Sequence, residues 1–164
     1  TNLIVGTALS TSSNKIGIGT GAPRTLLDVQ GVLRTTALAE NVDTSDIDTS
    51  AANNHKVVLD LSESSVFDIA VDANIHKFEL IGVPDDGGTF TLKLTQDSTG
   101  GRTVAIDVFQ TNSPTSIPVY WPGGVVPTVT TTASRTDIYS FKFFNGSAIT
   151  SSGLYGVIGG QNFS

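Results

Sequence analysis

From Lys56 onward the chain alternates apolar and polar residues, and it keeps this period of two almost to its end. Successive side chains of an extended strand point to opposite faces, so each such run reads as a strand with one buried face. Val57, Leu59 and Leu61 alternate with Val58, Asp60 and Ser62, and Phe67, Ile69 and Val71 with Asp68, Ala70 and Asp72. Phe78 and Leu80 follow among Lys77 and Glu79. The cleanest run sets Phe90, Leu92 and Leu94 among Thr89, Thr91, Lys93 and Thr95, after the turn signal Asp85-Asp86-Gly87-Gly88. Val104, Ile106 and Val108 form another strand and Val119-Tyr120-Trp121 a short one. Ile138, Ser140 and Lys142 then oppose Tyr139, Phe141 and Phe143, and Leu154 to Ile158 closes the set after the hairpin turn Asn145-Gly146. Strands at about ten-residue spacing, bounded by Gly, Pro and Asp turns, predict an all-β domain, an antiparallel β-sandwich of jelly-roll-like type. Only residues 37–42 read as a short helix.

The N-terminal third follows a different pattern. Ile16 and Ile18 alternate with Gly17 and Gly19, giving a strand with one apolar face and one bare face that another backbone can approach closely. Pro23 sets a turn, after which Leu27, Val29 and Leu33 form a second apolar face. A piece of this size is too short to bury a core of its own, since chains below roughly 40 residues need metals, disulfides or oligomerisation. The chain has no cysteine, so oligomerisation or docking onto the rest of the chain remains. The division expected is therefore residues 1–36 as an extended strand or hairpin segment for attachment and trimerisation, 37–54 as a linker rich in Asp, Ser, Thr and Asn, and 55–164 as the β-sandwich. Residues 1–13 read as an extended arm. Ile16, Ile18, Leu27 and Val29 are the expected oligomerisation residues, joined by Phe163, the one large apolar residue at the C-terminal end.

Several function classes fall to composition. At 164 residues and 38% apolar content the chain holds one ordinary domain plus an extension. A net charge of -6 argues against binding to a phosphate backbone, which depends on clustered Lys and Arg. Without cysteine there is no thiol nucleophile and no thiolate metal site. No apolar run reaches membrane-spanning length, and no membrane insertion is expected. The missing first methionine suggests a trimmed start, and the first residues show no export signal.

Residues able to carry chemistry are few. His55 and His76 lie apart without the spacing of a metal helix or a catalytic triad, and both read as surface residues. Asp60, Asp68 and Asp72 fall on the polar side of neighbouring strands; a carboxylate pair for glycoside hydrolysis would use such groups, but polar-outward alternation yields the same spacing. Asp43, Asp46 and Asp48 are the best hard-cation candidates, in a loop lacking the glycine and distal glutamate of a calcium hand. No catalytic residue, cofactor or metal is expected. Trp121 beside Tyr120 and Pro122 reads as core packing or as a sugar-stacking platform, and Tyr120, Trp121, Asn112 and Asn145 are the candidate glycan contacts.

Two stretches resemble known proteins. Ile16-Gly17-Ile18-Gly19-Thr20, Pro23 and Leu27-Asp28-Val29 with Gly31 resemble a segment common in bacteriophage tail-fibre proteins. Residues 56–163 resemble β domains of tail-fibre and structural proteins from phages of cyanobacteria and other aquatic bacteria. The carrying motifs are Gln96-Asp97-Ser98-Thr99-Gly100-Gly101-Arg102-Thr103, Trp121-Pro122-Gly123-Gly124, Asp137-Ile138-Tyr139-Ser140-Phe141 and Gly159-Gly160-Gln161-Asn162-Phe163. The resemblance implies a non-enzymatic virion protein, a short homotrimeric tail fibre on the baseplate or tail that takes part in host attachment. Its expected partners are other tail and baseplate proteins and a host surface glycan. A glycan-binding receptor module and a capsid decoration or neck protein are the alternatives, and a depolymerase is disfavoured because such enzymes resemble much longer chains.

Overall fold

The computed structural model describes residues 15–51 and 54–164, together with the backbone path of residues 9–12. Apart from those four residues, the arm expected over 1–13 lies outside the described residues. The chain divides into two compact units, residues 1–39 and 40–164.

The first unit is a three-stranded sheet of β1 (Leu9–Ser12), β2 (Lys15–Ile18) and β3 (Leu27–Val29) in the order β1-β2-β3. β1 pairs with β2 antiparallel. β2 and β3, on either side of the Pro23 turn, run parallel and not as a hairpin, with Ile16 beside Leu27 and Ile18 beside Val29. The connection reverses twice, and Gly19 makes the first bend at φ 77° with its Cα against the Gln30 carbonyl. Only glycine takes that conformation without strain.

The second unit is mostly β, with one four-residue α-helix and a short 3-10 turn at Pro122–Gly124 among its described residues. Its four-stranded sheet has the order β10-β9-β7-β5 and contains β5 (Lys56–Asp60), β7 (Lys77–Ile81), β9 (Phe109–Thr111) and β10 (Ser116–Ile117). The six-stranded sheet contains β4 (Val42–Asp43), β6 (Val66–Val71), β8 (Gly88–Gln96), β11 (Val119–Tyr120), β12 (Thr136–Phe143) and β13 (Leu154–Phe163), in the order β11-β13-β12-β8-β6-β4. Alternate residues of both sheets point into one core, where Phe109 of one sheet meets Phe90 and Phe141 of the other at ring separations of 6.2 and 5.0 Å.

The antiparallel expectation holds for only part of this unit. From β4 to β9 each strand enters the sheet opposite to its predecessor, and the returning strand lies parallel to the one before last. β4, β6 and β8 are parallel neighbours in one sheet, as are β5, β7 and β9 in the other. The chain therefore winds as a two-sided coil instead of folding back in jelly-roll hairpins. Each crossover a parallel pair requires is supplied by the strand of the opposite sheet. Antiparallel pairing begins at the end of the coil, in β9 with β10, and continues in β12 with β8 and with β13. Period-two alternation is the same in both kinds of pairing, and a turn signal such as 85–88 marks a reversal without saying into which sheet.

Other expectations shift in detail. The expected helix over 37–42 is absent, and the stretch expected as linker carries β4 and places Ile47 against the core. The strand expected at Val104 to Val108 reduces to a bridge at Val104, with β9 starting at Phe109. β12 and β13 are hairpin partners as expected, but Asn145-Gly146 begins a longer connection containing α1 (Ile149–Ser152). Three of the four edge strands, β4, β10 and β11, are two residues each, whereas the fourth, β5, has five residues and is bridged at Lys56 by Asp48.

Candidate functional site

In the first unit, the parallel register puts Ile16, Ile18, Leu27 and Val29 on one face of the sheet. Ile16 is 44%, Ile18 43% and Leu27 55% exposed, so the apolar stripe stands open, with Val29 half-buried. The opposite face is closed by small and polar groups. Gly17 lies beside Asp28, pressed against the Thr20 carbonyl where a Cβ would not fit, and Pro23 is buried there. Asp28 accepts hydrogen bonds from the Arg24 backbone N–H at 3.0 Å and from Arg24 Nε at 3.4 Å. The Arg24 backbone bond leads the effects that hold its carboxyl below the usual carboxylate range, against its partial desolvation. The unit thus buries its polar face and exposes its apolar one.

Two motifs of the second unit are structural. Gln96 clamps the backbone of Arg102, donating from Nε2 to its carbonyl at 2.9 Å and accepting from its N–H at 3.1 Å. Arg102 Nη2 donates to Asp97 Oδ2 at 2.9 Å, while Asp97 Oδ1 accepts from the Thr99 and Gly100 N–H groups. The Arg102 side chain is the main cause of a lowered Asp97 pKa. The C-terminal motif serves a second polar centre that sequence reasoning missed. Asp137, 1% exposed, accepts from Thr130 N–H at 2.7 Å, Asn162 N–H at 2.8 Å, the Tyr139 hydroxyl at 3.1 Å and Gln161 Nε2 at 3.2 Å. Burial raises the Asp137 pKa, but these donors together outweigh it and leave the group ionised below its ordinary value. Burial, followed by the neighbouring carboxylate, pushes the Tyr139 hydroxyl well above its usual range. No motif spacing announces a side chain that reaches a terminal strand laid beside it.

The candidate glycan residues separate. Trp121 is 7% exposed, edge-on to Tyr139 and Phe141, and Gly156 packs on its six-membered ring. Its indole N–H has no partner. Tyr120 is half-exposed and its ring meets Tyr155 at 5.2 Å, with Phe144 5.5 Å beyond. The Tyr155 neighbour of Tyr120 was missed because only the parallel pairing of β11 with β13 brings residue 120 beside 155. Asn112 lies in the turn between β9 and β10, and the Asn145 carboxamide oxygen is engaged by Ser147 and Ala148. Phe163 is 48% exposed, its ring lying over Gly160.

The two histidines, apart in sequence, stack at 4.9 Å and 12° because β5 and β7 are parallel neighbours. Their Nδ1 atoms are engaged by Asn74 and Asn54. The carboxylates do not converge. Asp60 binds Ser62 on the outside of the four-stranded sheet, while Asp68 pairs with Lys93 on the outside of the other. Asp43 accepts from Ser45 and Asp48 from Ser50, and among the described residues no three acidic, His or Cys side chains gather as a metal site would require. No described helix is long and apolar enough to cross a membrane. No protein-family model, curated protein or solved structure matches this chain.

Proposed function

We propose that this chain is a non-enzymatic structural protein of a phage virion, a short homotrimeric tail fibre mounted on the tail or baseplate that takes part in host attachment. The observation that carries the reading is the open stripe of Ile16, Ile18 and Leu27 on a sheet whose buried side, among the described residues, is formed by Gly17, Pro23 and Asp28. A sheet that buries its polar face and exposes its apolar one gains stability by covering that face with another chain. In this reading the N-terminal unit joins three copies and docks on other tail proteins, while the β domain, whose core is complete within one chain, projects outward. The motif resemblance supplies the phage setting, and the separation of Asp60 from Asp68 supports the non-enzymatic part.

Multi-angle light scattering of the purified chain tests the assembly, with and without a calcium chelator. A trimer indifferent to chelation is expected. A monomer would defeat the fibre and favour an adaptor or capsid decoration, which antibody labelling of whole particles separates by placing the chain on head or tail.

A further inference from the structure

We propose that Asn145-Gly146 is a latent modification site, a spontaneous deamidation that the fold holds back and that proceeds only when the loop carrying it opens. Asn145 is the one asparagine of the chain followed by glycine. In such a pair no side chain shields the backbone nitrogen, so the Gly146 nitrogen is free to attack the carboxamide carbon of Asn145. The new N–C bond closes a five-membered succinimide, and the carboxamide nitrogen departs as ammonia with the proton that Gly146 gives up. Water then adds to one of the two ring carbonyls. The product is either aspartate or isoaspartate, in which the main chain runs through the side-chain carbon. Water is the only co-reactant.

The fold withholds the geometry of this step, not the water. Asn145 is exposed, whereas Gly146 is buried. The Gly146 N–H donates to the Asp85 carbonyl at 3.0 Å and to the Asp86 carbonyl at 2.9 Å, so the nitrogen that must lose its proton is held by two acceptors that favour the N–H form. The carboxamide is fixed as well: its oxygen accepts from Ser147 Oγ at 2.9 Å and from the Ala148 N–H at 3.1 Å. The Ser147 N–H adds a bond to the Asp85 carbonyl at 3.1 Å, so attack requires residues 145–147 to part from 85–86. The isoaspartyl product does not fit either. Gly146 presses on the Pro84 carbonyl so closely that even a Cβ has no room, and an isoaspartyl link inserts a methylene into the main chain at that contact. Opening of the loop is thereby followed by a change the fold cannot reverse, which makes a local and reversible event permanent. The site lies where Phe143 of β12 meets Gly88 of β8 and is indifferent to the assembly proposed above. Asn112-Ser113 is a control within the same chain. Its serine side chain makes it intrinsically the slower pair, but it is exposed in the turn between β9 and β10, and the Ser113 N–H has no backbone acceptor among the described residues.

The full-length chain is kept in mildly alkaline buffer, either folded or in denaturant. Conversion is read by peptide mapping in a mass spectrometer, with isoaspartate detected by enzymatic methylation. In denaturant Asn145 is expected to convert ahead of Asn112. In the folded chain it is expected to convert at least about tenfold more slowly than in denaturant, and behind Asn112. Conversion of Asn145 in the folded chain within a few-fold of the denatured rate, or still ahead of Asn112, would overturn the proposal. Removing denaturant from a partly converted sample tests the product. The refolded fraction, isolated by size exclusion, is expected to carry several-fold less isoaspartate at position 145 than the sample it came from. Equal content in the two would show that the loop accommodates the extra methylene and would overturn the irreversible step.

Discussion

The sheet of residues 9–29 and the β domain of residues 40–164 handle the same residue types in opposite ways. Ile16, Ile18 and Leu27 alternate with small or polar residues and stand close to half-exposed or more, whereas Leu59, Ile69 and Leu92 alternate in the same manner and are 0% exposed. The difference lies in what each strand has above it. A strand of the β domain finds a second sheet across the core, because the chain winds from one sheet to the other; among the described residues of its unit the N-terminal sheet has no such second layer. Alternation alone therefore specifies a half-buried strand without specifying what covers it, and where the chain supplies no cover another chain is the natural source.

The contrast breaks most sharply if the β domain turns out not to depend on its own interior. Trp121→Ala empties a site packed against Tyr139 and Phe141 and is expected to cost about 3 to 5 kcal/mol, measured by denaturant unfolding. A loss under about 1 kcal/mol would mean that the ring works at the surface instead. Next in size is Asp137→Asn, which turns an NH2 group toward donors that need an acceptor and is expected to cost about 2 to 3 kcal/mol. The same variant has a signature in pH. Because the Asp137 and Asp97 pKa values are lowered from 3.8 on folding, their stabilisation is complete above about pH 4 and is lost as pH falls through the folded values. Asp137→Asn should flatten that acid limb. Tyr139 acts with opposite sign: its raised pKa favours the folded state up to the ordinary tyrosine range near 10, and stability falls as pH rises beyond it.

How much of this was legible follows from what period two encodes. The inward residues Val57, Leu59, Phe67, Ile69, Phe90, Leu92 and Phe141 are the ones alternation selects, because burial on one face is all that alternation reports. Pairing direction was hidden. Parallel sheets are normally covered on both faces and read as continuous apolar runs, whereas the outer faces here are solvated, so β5 to β8 carry an antiparallel pattern in a parallel arrangement. Everything that depends on which strands are neighbours was hidden with it, including the stack of His55 on His76, the Tyr120 and Tyr155 pair, and the reach of Asp137 to Gln161. Contacts within one loop, such as Asp97 with Arg102, were legible because the chain itself keeps those residues close.

Gly100 gives a smaller test of the β domain's closure. It sits at φ 68°, and a Cβ there would lie 2.6 Å from the Ala133 nitrogen, so Gly100→Ala is expected to cost about 2 kcal/mol through strain and displacement of the facing loop. Gly101 has φ 78° but open space around its Cα, so Gly101→Ala isolates the conformational part alone, about 1 kcal/mol.

The smallest expected change in folding is also the most informative about the N-terminal sheet. Ile16→Ser together with Ile18→Ser alters two side chains that make no core within their own unit and belong to a different unit from the β domain. Surface substitutions of this kind move stability by no more than about 0.5 kcal/mol, so the unfolding transition of the β domain should stay in place. The mass in solution should not. If the stripe holds copies together, replacing two of its apolar side chains by hydroxyls removes most of the burial that offsets the entropy of association, and light scattering should report a smaller species at the same concentration. A transition that shifts while the mass holds would reverse the assignment, making the stripe part of this chain's own fold and not the surface through which copies meet.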